Sequence, residues 1–195
     1  MRRRTIAISK VVAIVGLLSA SASPVQGENR PINAERSTLT VLVYKSGLFS
    51  AFADNHVISA PIATGSISED SPLSIEMTVR SADLRVLDPG LSVERRAEVQ
   101  TRMLGPEVLD VAKFPGIQFA STTIEPAGTD RWQVTGRLTI HGHAQTITFA
   151  VARVSETYRG EVAIKQRDFG IEPIKVAGGT VKVKDELRVQ FEIMR

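Results

Sequence analysis

The alternation of apolar and polar residues within Ala112–Gly142 constrains the fold more than any other feature of the sequence. One set of alternate positions in this stretch is mostly apolar: Trp132, Val134, Gly136, Leu138 and Ile140. The intervening set is mostly polar: Gln133, Thr135, Arg137, Thr139 and His141. Because successive side chains of a β-strand point to opposite faces, the pattern predicts a strand with one apolar and one polar face. Such strands bury their apolar face only by closing or stacking, which predicts a barrel or a sandwich.

Turn residues and further alternating segments extend this prediction over the chain. Gly128-Thr129-Asp130 and His141-Gly142 predict hairpin turns before and after the strand at 132–140, and the first turn joins this strand to an earlier alternating strand of the same stretch. Further strands are predicted at 37–45, 56–60, 62–68, 73–80, 146–154, 158–165, 181–184 and 187–194. The last two are predicted to form a hairpin around Asp185-Glu186. We expect a mainly β fold, an antiparallel barrel of about eight strands, which is wide enough to hold one small ligand.

The segment 83–111 departs from the strand pattern and predicts a short helical insertion. Ser92 can cap a helix that begins at Val93, and Gly105-Pro106 supplies the stop signal. One predicted stripe of this helix carries Val93, Ala97, Gln100 and Leu104, with Met103 beside it. Helical material between strands favours a lid or plug at one end of a barrel.

Several motifs in the same order resemble those of the YceI-like family, the periplasmic lipid- and polyisoprenoid-binding proteins. They are Phe52-Ala53-Asp54-Asn55-His56, Phe114-Pro115, Ile117–Thr122, Val134–Gly142 and Gln166–Ile171. The resemblance covers about Arg36–Arg195. It implies a lipocalin-like barrel, a lipid-like or polyisoprenoid ligand in its interior, and a periplasmic or secreted location.

The N-terminus predicts a secretory signal. Residues 1–10 are positive, an apolar run follows, and cleavage is expected after Ala22 or Gly27. The apolar run is shorter than the roughly 20 residues a spanning helix needs, so no transmembrane segment is expected after cleavage. The predicted organisation is therefore a cleaved signal at 1–27, a linker at 28–36 and one binding domain at 37–195.

Charge and cysteine content exclude several classes of function. The formal net charge is +3, but four of the 24 Lys and Arg residues lie in the predicted signal; the remaining 20 face 21 Asp and Glu. The sequence gives no support for nucleic-acid binding, which needs a concentrated basic surface. The chain has no Cys, which excludes disulfides and thiol catalysis. No cofactor and no metal are expected; a homodimer is left open.

The candidate ligand contacts are large apolar residues on predicted inward faces or closing turns, with one cation at the rim. They are Phe49, Phe52, Phe114, Phe119, Trp132, Phe149, Phe169 and Arg167. The alternative for the aromatic residues is an ordinary close-packed core. The alternative for Arg167 is a solvated charge in a turn.

The polar residues leave further alternatives open. His56, His141 and His143 are the only histidines. Without a Gly-x-Ser-x-Gly elbow or a recognisable Ser–His–Asp set, we expect a binding protein that is not an enzyme. The ligand would be carried, stored or shielded against stress.

Two alternatives to this binding function stay open. One is an envelope enzyme acting on a lipid-like substrate, with His56 and Asp54, or His141, as its catalytic residues. Another is a scaffold for a membrane redox protein. Arg95 and Arg96 fit a solvated helical face, or a lid that contacts an anionic head group.

Overall fold

The computed structural model describes residues 28–46, 55–176 and 181–195, and most of them lie in one antiparallel sheet. Its first six strands are β1 (Asn29–Pro31), β2 (Thr38–Ser46), β3 (His56–Ser59), β4 (Ile62–Ser68), β5 (Ser74–Arg80) and β6 (Arg85–Val86). The other six are β7 (Gly116–Pro126), β8 (Arg131–Ile140), β9 (His143–Val154), β10 (Thr157–Lys165), β11 (Lys175–Val176) and β12 (Val181–Met194). The helix α1 spans Val93–Leu104. The mainly β fold with one short helix is therefore confirmed.

The sheet is curled, and the short connection between β3 and β4 joins strands from its two sides. The order of strands is β1-β4-β5-β7-β8-β9-β10-β12-β2-β3-β6, with β11 on β12. β3 and β4 are separated only by Ala60 and Pro61, yet β3 pairs with β2 while β4 pairs with β5. Pro61 has no N–H to donate, so the ladder breaks there. The neighbouring Ala60 N–H still donates to the Leu39 carbonyl at 2.9 Å.

The predicted strand count of about eight is wrong, since the described residues form twelve strands. Three of them, β1, β6 and β11, are only two or three residues long, and single-sequence alternation does not reveal such short strands. The segment 28–36, predicted as a linker, contributes β1 and the buried Ile32.

The predicted C-terminal hairpin is also wrong. Residues 181–194 form the single strand β12, which pairs with β10 without interruption from Glu186 to Met194. Its pairing with β2 shifts register between Val183 and Leu187. A bulge accommodates the polar pair Asp185-Glu186 without a turn, because a bulge adds residues to one strand of a pair only.

α1 begins and ends where its sequence signals predict. The Ser92 hydroxyl accepts a hydrogen bond from the Arg95 N–H at 3.3 Å, and Gly105 caps the C-terminus. Of the predicted stripe, Val93 is 73% exposed, whereas Leu104 packs against the core beside the buried Met103. Gln100 fixes the orientation of the helix: its amide donates to the Leu84 carbonyl and accepts from the Val86 N–H.

Candidate functional site: an apolar cavity with two different ends

A cavity of about 900 Å³ lies inside the curled sheet, and most of its lining is aliphatic or aromatic. Four of the predicted ligand contacts line it: Phe119, Trp132, Phe149 and Phe169. The rings of Phe119 and Phe149 lie 5.5 Å apart, and the ring of Phe191 lies 5.5 Å from Phe149 on the other side. Phe169, only 2% exposed, follows β10 in a 3-10 turn. The structure thus places these four rings around one space; their contact with a ligand stays a prediction.

Gly136 explains how the ring of Phe119 fits against the wall. The two residues lie on the paired strands β7 and β8, with Gly136 opposite Ser121. A Cβ atom at Gly136 would lie 2.5 Å from Cζ of Phe119 and 2.6 Å from the Ala120 carbonyl oxygen. The ring therefore occupies the position that a side chain at residue 136 would take. This close approach requires glycine in the middle of a strand.

Most of the polar lining residues form two groups at opposite ends of the cavity, each together with one large apolar side chain, Leu91 or Trp132. The helix end consists of Lys45, His56, Leu91, Arg95, Glu98 and Arg102. The hairpin end consists of Ser68, Glu69, Asp70, Ser74, Trp132, Arg153 and Tyr158, which lie at or beside the β4–β5, β7–β8 and β9–β10 turns. Trp132 and Ile140 are eight positions apart on β8, and at about 3.3 Å per position this strand spans about 26 Å between the two ends.

His56 at the helix end is held by a buried carboxylate. Its Nδ1 lies 2.5 Å from Oδ2 of Asp88, and the other oxygen of Asp88 accepts the Val57 N–H at 2.7 Å. Asp88 is only 4% exposed. Two fixed contacts on the carboxylate orient the imidazole, as in sites where a carboxylate positions a histidine. His56 was predicted to act with Asp54, which lies outside the described residues; its partner in the structure is Asp88, which no sequence pattern indicated.

α1 contributes three charged side chains to the helix end. Arg95, Glu98 and Arg102 all line the cavity, and their spacing of three and four residues places them on one face of the helix. Nε of Arg102 donates to Oε2 of Glu107 at 2.8 Å. The spacing was visible in the sequence. That this face borders the cavity depends on how the helix docks, which the sequence pattern does not specify.

The hairpin end neutralises most of its charges internally. Glu69 accepts hydrogen bonds from the Tyr158 hydroxyl and from the guanidinium of Arg195. Arg153 donates from Nη2 to Oδ1 of Asp130 at 2.5 Å, and this hydrogen bond raises the pKa of the guanidinium above its ordinary value. The guanidinium carbon of Arg153 also lies 5.8 Å from the ring centre of Trp132.

Phe114, a predicted ligand contact, is not among the residues that line the cavity. Its ring packs on the imidazole of His141, with centroids 4.2 Å apart, at the β8–β9 turn. A Cβ at Gly142, where φ is +75°, would come within 2.7 Å of the same ring. Phe114 therefore packs against this turn from outside the cavity.

Arg167, the predicted rim cation, is also absent from the cavity lining. Its guanidinium donates to both carboxylate oxygens of Glu172, at 3.3 and 3.2 Å, and lies 3.6 Å from Asp185. The hydrogen bonds to Glu172 raise its pKa above the ordinary value. The two neighbours that do line the cavity are Gln166 and Phe169. The turn directs Arg167 away from it.

The remaining predicted residues fall into two groups. Phe49 and Phe52 lie outside the described residues. His141 and His143 stack with ring centres 6.3 Å apart and do not line the cavity. Within the described part of the chain, no three His, Asp or Glu side chains come together as a metal site. No helix in the same part has the length and apolar composition to cross a membrane.

The fold and the cavity define a class: mainly β proteins in which one curled antiparallel sheet surrounds an apolar interior. Residues 31–194 match the model of the YceI-like domain, which is most of the chain. The chain belongs to the YceI-like family.

Curated relatives are similar over shorter segments. A UPF0312 protein of Pseudomonas savastanoi pv. phaseolicola is 31% identical over 106 residues, 49% of this chain and 53% of the relative. A UPF0312 protein of Pseudomonas putida strain F1 is 35% identical over 65 residues, 33% of this chain. The chain spans 31% of the length of that relative.

Solved structures support the fold. The crystal structure of Burkholderia cenocepacia BcnA superposes with a TM-score of 0.65 at 21% identity, covering 84% of this chain and 99% of that chain. A polyisoprenoid binding domain from Saccharophagus degradans, implicated in plant cell wall breakdown, gives a TM-score of 0.56 at 15% identity, covering 84% and 95%.

Proposed function

We propose that the protein is an exported, non-catalytic binding protein that holds a lipid-like or polyisoprenoid ligand in its cavity for transport, storage or protection against stress. The observation that carries the proposal is the cavity of about 900 Å³ with its predominantly apolar lining. Its size falls in the range of ligand sites. The polyisoprenoid binding described for the Saccharophagus degradans domain supports the ligand class.

The energetics favour a long apolar chain. Burying each CH₂ group contributes about 0.8 kcal/mol, so a long tail binds without any charged partner. The aromatic rings of Phe119, Phe149 and Phe191 supply a continuous wall for such a tail. Affinity would then come from the length of the tail, and orientation from the polar groups at the two ends.

The location is part of the proposal. The positive N-terminus, the short apolar run and the small residues before position 28 support export to the periplasm or the medium. The absence of Cys is compatible with a domain held by its apolar core alone.

The His56–Asp88 pair favours a second candidate function, an envelope enzyme acting on a lipid-like substrate. A histidine held by a buried carboxylate can serve as a general base when its second ring nitrogen faces a substrate. The test is turnover of acyl and prenyl esters by the purified protein and by His56→Ala. Equal product formation by the two proteins would remove this candidate.

The binding proposal is tested by native mass spectrometry of protein exported and purified without detergent, followed by organic extraction and mass analysis of the released compound. Leu138→Trp fills the cavity from β8, and Arg137→Trp places the same side chain on the outer face of the same strand as a control. We expect an added mass that extracts as a prenyl or acyl compound and that only Leu138→Trp loses.

A second measurement makes the outcome decisive. Delipidated protein is titrated with a fluorescent fatty probe, and saturable binding that Leu138→Trp abolishes supports the proposal. A clean apo mass together with no saturable binding would overturn it. Equal binding by the two tryptophan variants would show that the probe binds outside the cavity and would overturn it as well.

A further inference from the structure

The two ends of the cavity differ in the sign of their charged side chains. Among the described residues, the helix end presents three cations, Lys45, Arg95 and Arg102, against one carboxylate, Glu98. At the hairpin end, carboxylates outnumber cations among the lining residues. Its carboxylates are Glu69 and Asp70, and its one cation is Arg153.

Arg95 is the cation best suited to meet a ligand. Its backbone N–H is used by the cap at Ser92, but its guanidinium has no partner among the described residues. Arg102, two turns further along the same face, shares one exposed ion pair with Glu107. Exposed pairs of this kind contribute little, so an incoming anion can compete with Glu107. A free guanidinium presents several N–H donors in a planar fork that matches carboxylate and phosphate oxygens.

His56 adds an oriented ring to the same end. Asp88 occupies Nδ1, so the second ring nitrogen is the one left for a ligand. Asp88, which holds the imidazole, lies seven positions before Arg95 in the chain. Between them, Leu91 lines the cavity just before α1 begins. A fixed imidazole and a guanidinium therefore border one end of an otherwise apolar space.

We propose that the helix end is an anion subsite. This subsite rests on the proposed function, and its ligand carries an anionic head, a carboxylate or a phosphate ester. Arg95 binds the head with support from Arg102 and His56, and the tail extends toward Trp132 at the hairpin end. Arg95 and Arg102 are exposed, so the protein does not bear the cost of burying their charges before the head binds. The reverse orientation is less favourable, because Arg153, the cation that lines the hairpin end among the described residues, is already bound to Asp130.

The single tryptophan reports the orientation directly. Trp132 is the only Trp of the chain and lies at the hairpin end. Stearate carrying a nitroxide at carbon 16 or at carbon 5 quenches nearby indole fluorescence. With the head at the helix end, the carbon-16 label lies beside Trp132 and quenches several-fold more than the carbon-5 label. Equal quenching, or stronger quenching by carbon 5, would overturn the proposal.

Ligands that share a tail but differ in the charge of the head measure the contribution of the head to affinity, and charge-removing variants show which side chain provides it. Stearate is compared with methyl stearate, and farnesyl pyrophosphate with farnesol, so that the carboxylate and the phosphate are tested separately. Arg95→Gln is expected to weaken binding of the preferred anion about tenfold, the scale of one charge-assisted hydrogen bond. Glu98→Gln removes the opposing carboxylate and is expected to strengthen it. Arg137→Gln, on the outer face of β8, is the control for a lost cation.

The outcomes also distinguish this inference from the proposed function. Anion affinity that falls in Arg95→Gln while methyl stearate and farnesol bind unchanged supports the anion subsite. Neutral and anionic probes that bind equally well to every variant would overturn the subsite and leave the apolar binding function intact. Failure of all four probes to bind would overturn both.

Discussion

The helix end and the hairpin end of the cavity both carry charged side chains, but they satisfy these charges differently. At the hairpin end, Glu69 is bound by Tyr158 and Arg195, and Arg153 is bound by Asp130. At the helix end, the guanidinium of Arg95 has no partner in the described part of the chain. The Arg153–Asp130 and Arg102–Glu107 pairs are both exposed and contribute little to stability, so the ends differ mainly in Arg95, whose unpaired guanidinium is available to a ligand. The comparison assigns the recognition role to the helix end.

At the helix end Arg102 and His56 are paired as well, but of these two only His56 has a buried partner, Asp88, which gives it a structural role. The largest effect on stability is therefore expected there. Asp88→Ala leaves the Val57 N–H and the imidazole without their acceptor in a buried position. We expect the free energy of unfolding to fall by about 3 kcal/mol, measured by urea denaturation.

The control for this variant is Asp83→Ala. Asp83 pairs with Arg80 at 2.6 Å, but both side chains are substantially exposed, so the expected loss is within about 0.5 kcal/mol. Equal losses in the two alanine variants would show that Asp88 does not stabilise the helix end.

The hairpin end is expected to respond less. Tyr158→Phe removes the hydroxyl that donates to Glu69 and keeps the ring 5.9 Å from Trp132. The free energy of unfolding should fall by about 1 kcal/mol, the net contribution of one hydrogen bond. Tyr44→Phe is the matched control, because no hydrogen bond of the Tyr44 hydroxyl is found within the described ranges and only its ring contacts Lys184. A loss in Tyr44→Phe as large as in Tyr158→Phe would contradict the role given to Glu69.

Local periodicity made the walls of the cavity predictable. The apolar set of β8 was predicted to share one face, and Trp132, Val134, Leu138 and Ile140 all line the cavity. The bounds of α1 were predictable for a similar reason, since its cap at Ser92 and its stop at Gly105 are local signals. The apolar face of β8 and the bounds of α1 both depend on residues that are close together in the chain.

The two ends were not predictable, because long-range contacts build them. His56 and Asp88 are 32 residues apart, and nothing in the spacing pairs them. The docking of α1 includes the contacts of Gln100, a member of the predicted stripe, with Leu84 and Val86, which lie 16 and 14 residues away in the chain. Phe114 was predicted to contact the ligand as a large residue on an inward face or a closing turn, whereas it packs on His141 and does not line the cavity. For His56, Gln100 and Phe114, the residue type did not indicate which distant residue each side chain contacts.

Arg167 provides the smallest expected effect and the sharpest contrast with Arg95. Both were visible in the sequence as cations that could meet a polar head, yet only Arg95 lines the cavity. Arg167 is exposed and already donates to Glu172. Because an exposed ion pair contributes little, Arg167→Gln should change neither the urea midpoint nor the affinity for stearate or farnesyl pyrophosphate measurably. A loss of anion affinity in Arg167→Gln that equals the loss in Arg95→Gln would move the head group away from the helix end. It would then favour the turn that follows β10 as the place where the ligand is recognised.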